Sequence, residues 1–289
     1  MKIYLIITST FLLSTLFLTS KKTLEVENKN NENITLMKTS YYNENHTNLW
    51  HDLITPDLKI SKEFYGKIFN WTFVDVNFKG TKYTTIYNND KIIGGMIEVK
   101  SAKTSTWITS LPLTNQELSK RIKTIVTNGA KVVLPPVKLP GRGKQVVFEG
   151  SQGEEFSLIS KNEFTSKMNT EETNGNWLGM ELWASDVDKA KEFYKNAFEV
   201  NVEKTEYDNK SYWLFTLESK ILAGMIQNPV INQGSQWVPY IKINDPASMV
   251  TEVKKNSGSI ILAPSMKFRD GKIGIVQDPH GAIFAIQKK

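Results

Sequence analysis

The chain has no cysteine and, in 289 residues, only three histidines (His46, His51, His280) and three arginines (Arg121, Arg142, Arg269). Without cysteine there is no disulfide framework, thiolate nucleophile, iron–sulfur cluster or thiolate-bound zinc. Three histidines leave few ways to assemble a nitrogen-ligated metal centre. The net charge of +6 comes almost wholly from lysine and gathers on no single stretch, so no nucleic-acid partner is expected. The apolar fraction of 40% and charged fraction of 23% are those of a folded globular chain.

The first twenty residues differ from the rest. Lys2 is followed by an uncharged run from Ile3 to Ser20, rich in Leu, Ile and Phe. A positive start, a short apolar stretch and small residues at its end mark a secretory signal sequence. About 18 apolar residues are the lower limit for a membrane span, so an uncleaved anchor stays open as the alternative. Either way, an exported protein is expected, touching a membrane only through residues 3–20. Residues 21–48, rich in Asn, Glu, Lys and Thr, read as a flexible tether. Within them, Asn45-His46-Thr47 fits a glycosylation sequon.

Beyond residue 48 the sequence repeats. Asp57, Phe64-Tyr65, Gly95-Met96-Ile97, Gly129 and Pro135 return at Asp186, Phe193-Tyr194, Gly224-Met225-Ile226, Gly258 and Pro264, always 129 residues later. The offset slips by one near the ends, where Gly153-Glu154-Glu155-Phe156 matches Gly281-Ala282-Ile283-Phe284. A register held this long implies two copies of one structural unit. We place a first module at 49–160, a linker at 161–176 and a second module at 177–289. Each copy reads as a strand, a helix capped by Asp57 or Asp186, and three strands with turns at Asn88-Asn89-Asp90 and Glu218-Ser219-Lys220. A second such set then starts at Trp107 or Trp237. Its helix has a capping box, Thr114 with Glu117, in copy one and an Asp245-Pro246 start in copy two. Gly129 and Gly258 stand where C-terminal caps are expected.

These strand, Asp and Phe-Tyr patterns, with the closing motif Asp278-Pro279-His280-Gly281-Ala282, resemble the vicinal oxygen chelate superfamily. That superfamily includes lactoylglutathione lyase, bleomycin-resistance proteins and extradiol dioxygenases. Trp237-Val238-Pro239-Tyr240 with the closing motif is similar to its two-module, glyoxalase-like branch. The resemblance implies an α+β fold of tandem βαβββ modules, four βαβββ halves in two homologous domains. Curled mixed sheets would surround a cleft that takes a small organic ligand and, in many members, a divalent metal.

The resemblance also says where metal ligands would stand, and there the sequence departs from the enzymes. The positions seven residues before each helix cap hold Trp50, Trp107, Gly179 and Val238, and those four after each closing glycine hold Ser157 and Ala285. Only Ser157 is a ligand at all, and a weak one, so neither metal nor other cofactor is expected. A register slip of one would recover His51, which by itself makes no site.

Strand alternation groups Trp50, Asp52 and Ile54 with Gly179, Glu181 and Trp183, and adds Trp107, Thr109, Tyr240 and Lys242, with Ser157 and Gln287 near the closing strands. Trp50, His51, Trp107, Trp183 and Tyr240 are the candidate ligand-binding residues, since aromatic faces with a few polar groups suit an organic molecule. Asp52 and Glu181, equivalent in the repeat, are the candidate general acid and base. The same aromatics serve equally well as core, and the same carboxylates as structural acceptors. Two functions stay open: an exported, metal-free binder of a small organic molecule, and a lyase, isomerase or hydrolase using the cleft carboxylates. A metal-dependent member with an atypical site, and homodimerisation, are left open beside them. Gly141-Arg142-Gly143-Lys144 is no phosphate loop, because Lys138 stands where the first glycine is needed. The flanking Pro135-Pro136 and Pro140 suggest a flap over the cleft.

Overall fold

The computed structural model describes residues 49–78, 81–139, 143–160, 173–207, 210–217, 220–230, 233–267 and 269–289. The expected signal segment, tether and sequon, most of the linker, Glu218-Ser219, and Pro140 to Arg142 lie outside these.

The first module runs β1 (Trp50–Thr55), α1 (Leu58–Phe69), β2 (Thr72–Phe78), β3 (Thr81–Asn88), β4 (Lys91–Glu98), β5 (Thr106–Leu113), α2 (Asn115–Thr127), β6 (Lys131–Leu139), β7 (Gly143–Glu149) and β8 (Glu155–Ser160). The second repeats it: β9 (Trp177–Ala184), α3 (Val187–Phe198), β10 (Asn201–Tyr207), β11 (Lys210–Leu217), β12 (Lys220–Gln227), β13 (Gln236–Lys242), α4 (Pro246–Lys255), β14 (Ser259–Leu262), β15 (Ile273–Gln277) and β16 (Ile283–Gln287). Each module is one eight-stranded mixed sheet, in the orders β2-β3-β4-β1-β5-β8-β7-β6 and β10-β11-β12-β9-β13-β16-β15-β14. β1 and β9 pair antiparallel with β5 and β13, and each of the four lies parallel to the last strand of its own half. Two βαβββ halves thus join at their first strands, giving the expected α+β fold of tandem modules.

Local chemistry sets the helix ends. Asp57, Asp186 and Asp245 accept from the backbone N–H of Ile60, Lys189 and Ser248. Thr114 and Glu117 close a reciprocal capping box. Gly129 takes the left-handed conformation after α2 (φ 102°), but after α4 that role falls to Ser257 (φ 68°). Gly258 is needed instead for close approach. A Cβ there would lie 2.7 Å from the Gln277 carbonyl oxygen and 2.9 Å from the Phe64 ring. Pro135 and Pro136 lie in β6, an edge strand bulged on either side of Leu134, where missing donors are tolerated. That part of the expected flap is strand.

The cores cross the modules. One packs Leu53, Phe64, Tyr65 and Met96 of the first module against Ile241, Val253, Phe284 and Ile286 of the second. The other packs Leu118, Ile125, Phe148 and Phe156 against Leu182, Phe193, Tyr194 and Met225. Each core therefore joins the first half of one module to the second half of the other.

Two buried polar knots tie this seam with the same logic. The Trp107 indole donates to the Tyr65 hydroxyl (3.0 Å), which donates to Asp278 of the second module (3.3 Å). The Trp237 indole donates to the Tyr194 hydroxyl (3.0 Å), which donates to Glu154 of the first (2.9 Å). Burial, then the facing carboxylate, holds both phenols well above the ordinary tyrosine range. The two acids come from different turn positions. At the one-residue-shorter offset Asp278 corresponds to Gly150, and a Cβ at Gly150 would stand 2.3 Å from the Glu154 carboxylate. Glycine thus vacates the space that the glutamate fills from four residues on.

Candidate functional site

Asp52, in the middle of β1, is buried. Its Oδ1 accepts from the Trp50 indole (2.9 Å) and the Tyr83 hydroxyl (3.2 Å), and its Oδ2 from the Gln145 amide (3.1 Å). The same amide nitrogen lies 3.0 Å from Ser110 Oγ and 2.9 Å from Ser157 Oγ, which are 2.6 Å from each other. Sheet register builds the cluster: Trp50 pairs with Ser110, Ser110 with Ser157, and Asp52 with Gly95. Gly95 is what admits the tyrosine. A Cβ there would stand 1.7 Å from the Tyr83 hydroxyl, so only glycine lets Tyr83 reach across β4 to β1.

The second module answers with Glu181, also buried. Its Oε1 accepts from the Trp183 indole (3.1 Å) and the Tyr240 hydroxyl (2.8 Å). Its Oε2 faces Arg269 Nη2 at 3.4 Å, while Arg269 Nη1 donates to Gln287 (2.6 Å). The guanidinium stands 5.4 Å from the centroid of the Tyr240 ring, a cation–π arrangement. Gly224 again pairs with the carboxylate residue, and a Cβ there would meet the Tyr212 hydroxyl at 1.7 Å.

The modules solve one problem with different residues. Trp50 and Ile54 become Gly179 and Trp183 at the 129-residue offset, so the indole reaches its acid from the other neighbour on the strand. By register, Ser110 and Ser157 correspond to Tyr240 and Ala285, and Gln145 and Ile159 to Ile273 and Gln287. A polar set in the first module is thus replaced by a phenol, two apolar residues and a guanidinium in the second.

Asp52 and Glu181 therefore stand one to a sheet, each at the centre of its own network. Trp50 joins the first, and Trp183 and Tyr240 the second. His51 and Trp107 lie on the opposite, helix-facing side of the first sheet. The pairs His51–Thr109 and Leu53–Trp107 put them there, with the Trp107 indole on Tyr65. The alternation count for Trp107 and Thr109 fails because β5 reaches its helix cap through one residue fewer than β13 does. Trp107 precedes Thr114 by seven and Trp237 precedes Asp245 by eight, and one residue flips every side chain to the other face.

His51 is fully buried, with Nδ1 2.9 Å from the Thr109 hydroxyl and its ring 4.2 Å from that of Trp177. Its Nε2 is buried without a hydrogen-bond partner among the described residues. Burial lowers its pKa to about 3, so the imidazole is neutral at physiological pH.

A divalent ion needs several convergent donors. Among the described residues no group of three His, Cys, Asp or Glu side chains is placed to hold one. The first cluster offers one carboxylate, two hydroxyls and an amide that turns N–H groups toward the oxygens. In the second, a guanidinium faces the carboxylate. These donor sets do not fit a first-row divalent metal.

Alternation in the sequence missed Tyr83, Ser110, Gln145 and Arg269. Tyr83 and Tyr212 did carry a signal, being 129 residues apart. Arg269 lies in the β14–β15 connection, where no periodicity reports direction.

No family model matches the chain. A Mycobacterium tuberculosis protein provisionally named glyoxylase CFP32 is 22% identical over 258 residues, 87% of this chain and 97% of that one. The anthracycline biosynthesis protein DnrV of Streptomyces peucetius is 23% identical over 260 residues, covering 82% and 91%. Among solved structures, the 2,3-dioxygenase LapB of Pseudomonas sp. KL28 superposes with a TM-score of 0.57 at 12% identity, over 83% of this chain and 91% of that one. The Mn(II)-bound glyoxalase of Novosphingobium aromaticivorans gives the same score and identity over 83% and 80%. With its two eight-stranded sheets built of paired βαβββ halves, the chain shares the fold of that dioxygenase and that glyoxalase, and in sequence it is similar to the mycobacterial and streptomycete proteins.

Proposed function

We propose that the chain is an exported protein that binds a small organic molecule, without a divalent metal, at the Asp52 cluster of its first module. The asymmetry between the modules carries this reading. Burying two hydroxyls and an amide costs free energy unless each is bonded, and Ala285 and Ile273 show that the same fold closes without them. We read the serine and glutamine set, which stands where the second module has Tyr240, Ala285 and Ile273, as the ligand site. Asp52 supplies an acceptor, the serines supply donors or acceptors, and the Trp50 and Tyr83 rings supply flat apolar surface. Tyr83 is only half-buried, which makes it the side chain a ligand would displace on entry. A ring compound bearing a hydroxyl or amide donor matches this set, and the streptomycete relative named for anthracycline biosynthesis accords with it.

The test is a thermal-shift comparison of wild type with Gln145→Leu/Ser157→Ala, which gives the first module the apolar lining of the second. The probes are catechol, 1-hydroxyanthraquinone and 1,4-naphthoquinone. The expected result is stabilisation of wild type by a hydroxylated probe and none of the variant. Equal responses from both proteins to all three would contradict the assignment.

A further inference from the structure

We propose that Arg269 is a built-in pseudo-ligand, and that the second module takes an organic cation of the guanidinium or amidinium class in its place. This goes beyond the first-module site in location and in ligand chemistry. Three groups that grip the guanidinium come from the sheet: Glu181 from β9, Tyr240 from β13 and Gln287 from β16. Together they offer a buried carboxylate, a ring face and a carbonyl oxygen, the set that recognises a flat, delocalised cation. The guanidinium itself comes from the connection between β14 and β15. If it leaves, the receptor stays.

The connection is built to resist its own conformation. Arg269 (φ 42°), Asp270 (φ 51°) and Gly271 (φ 74°) stand in the left-handed region in succession. Two of the three carry a Cβ and are disfavoured there. Two nearby bonds, Gly271 N–H to the Ser265 carbonyl and Lys272 N–H to the Arg269 carbonyl, lie within the connection, while Lys288 N–H to the Lys272 carbonyl (2.8 Å) anchors only its last residue. Met266, in the same connection, is 78% exposed, so its outer side is not packed down. A free cation that reproduced the Arg269 contacts would let these residues relax.

The experiment is calorimetric titration of the full chain with phenylguanidinium, using the neutral phenylurea as control. The expected result is saturable one-to-one binding of the cation and none of the urea. Affinity should weaken about tenfold in Glu181→Gln and strengthen about tenfold in Arg269→Ala. If Arg269→Ala does not fold, amide hydrogen exchange of wild type decides, with residues 269–272 exchanging faster when phenylguanidinium is bound. Equal binding of cation and urea, no binding of either, or unchanged exchange at 269–272 would each overturn the proposal.

Discussion

Gly224→Ala is expected to lower the stability of the chain by about 3 kcal/mol, the upper end for forcing an extra methyl into a packed interior. The new Cβ would meet the Tyr212 hydroxyl at 1.7 Å and ring carbon Cζ at 2.5 Å. A tyrosine ring cannot bend away, so it must leave the space over Gly224, beside buried Glu181. Removing only the hydroxyl, as in Tyr212→Phe, should relieve little, because the ring carbon still collides. Tyr212→Val should tolerate the alanine. Gly95→Ala is expected to behave alike, through Tyr83 at 1.7 Å, and also to break the bond from Tyr83 to Asp52. Urea unfolding of wild type, Gly95→Ala, Gly224→Ala and Gly224→Ala combined with Tyr212→Phe or Tyr212→Val measures this. A Gly224→Ala midpoint equal to wild type would show that the glycine-and-tyrosine arrangement is wrong.

The second large effect is the pH dependence set by His51. Its folded pKa is lowered from 6.5 to about 3 by burial, so from pH 6.5 down to 3 the unfolded chain binds the proton and the folded chain does not. Stability must then fall as pH falls, by about 1.4 kcal/mol per pH unit from this group. Over the full window that is roughly 5 kcal/mol. Glu154 and Asp278 act in the opposite sense, since burial raises their pKa values. The folded state takes up their protons first and gains stability as pH drops through the raised values. The His51 contribution is therefore read as a difference. The advantage of wild type over His51→Gln should shrink steadily below pH 6.5 and stay constant above it. Parallel stability curves would contradict the buried, neutral imidazole.

The sequence displayed the fold because the fold is written locally and twice. Caps at Asp57, Asp186 and Asp245 need only the next three residues to act, and a repeat offset exposes the shared architecture. What it hid depends on distance through space. Two copies of one unit look alike whether or not their cores are shared, so the crossed packing of Tyr65 on Asp278 and Tyr194 on Glu154 had no linear trace. Gly150 and Glu154 exchange roles across four residues, which alignment of the repeats reads as two unrelated differences.

The candidate site was legible to the extent that single strands carry it. Asp52 and Trp50 share a face of β1 by simple alternation, as do Glu181 and Trp183 on β9. Trp107 was misplaced by the one-residue contraction before Thr114, whose sign was that the two Trp stand 130 residues apart (107 and 237) and the two caps 131 (114 and 245). Ser110, on the same strand, was missed by that parity error. Gln145 reaches Asp52 from 93 residues away, and Arg269 reaches Glu181 from 88. Neither partnership follows from type or spacing, because the sheet order that creates it is a property of the whole module.

The most direct test of the account is native mass spectrometry of the chain purified from its own host without added metal. A bare mass, or a mass raised by an organic adduct that dissociates from Gln145→Leu/Ser157→Ala, is the predicted result. A mass raised by one divalent ion per chain would contradict it, because neither carboxylate cluster has the donors to hold one.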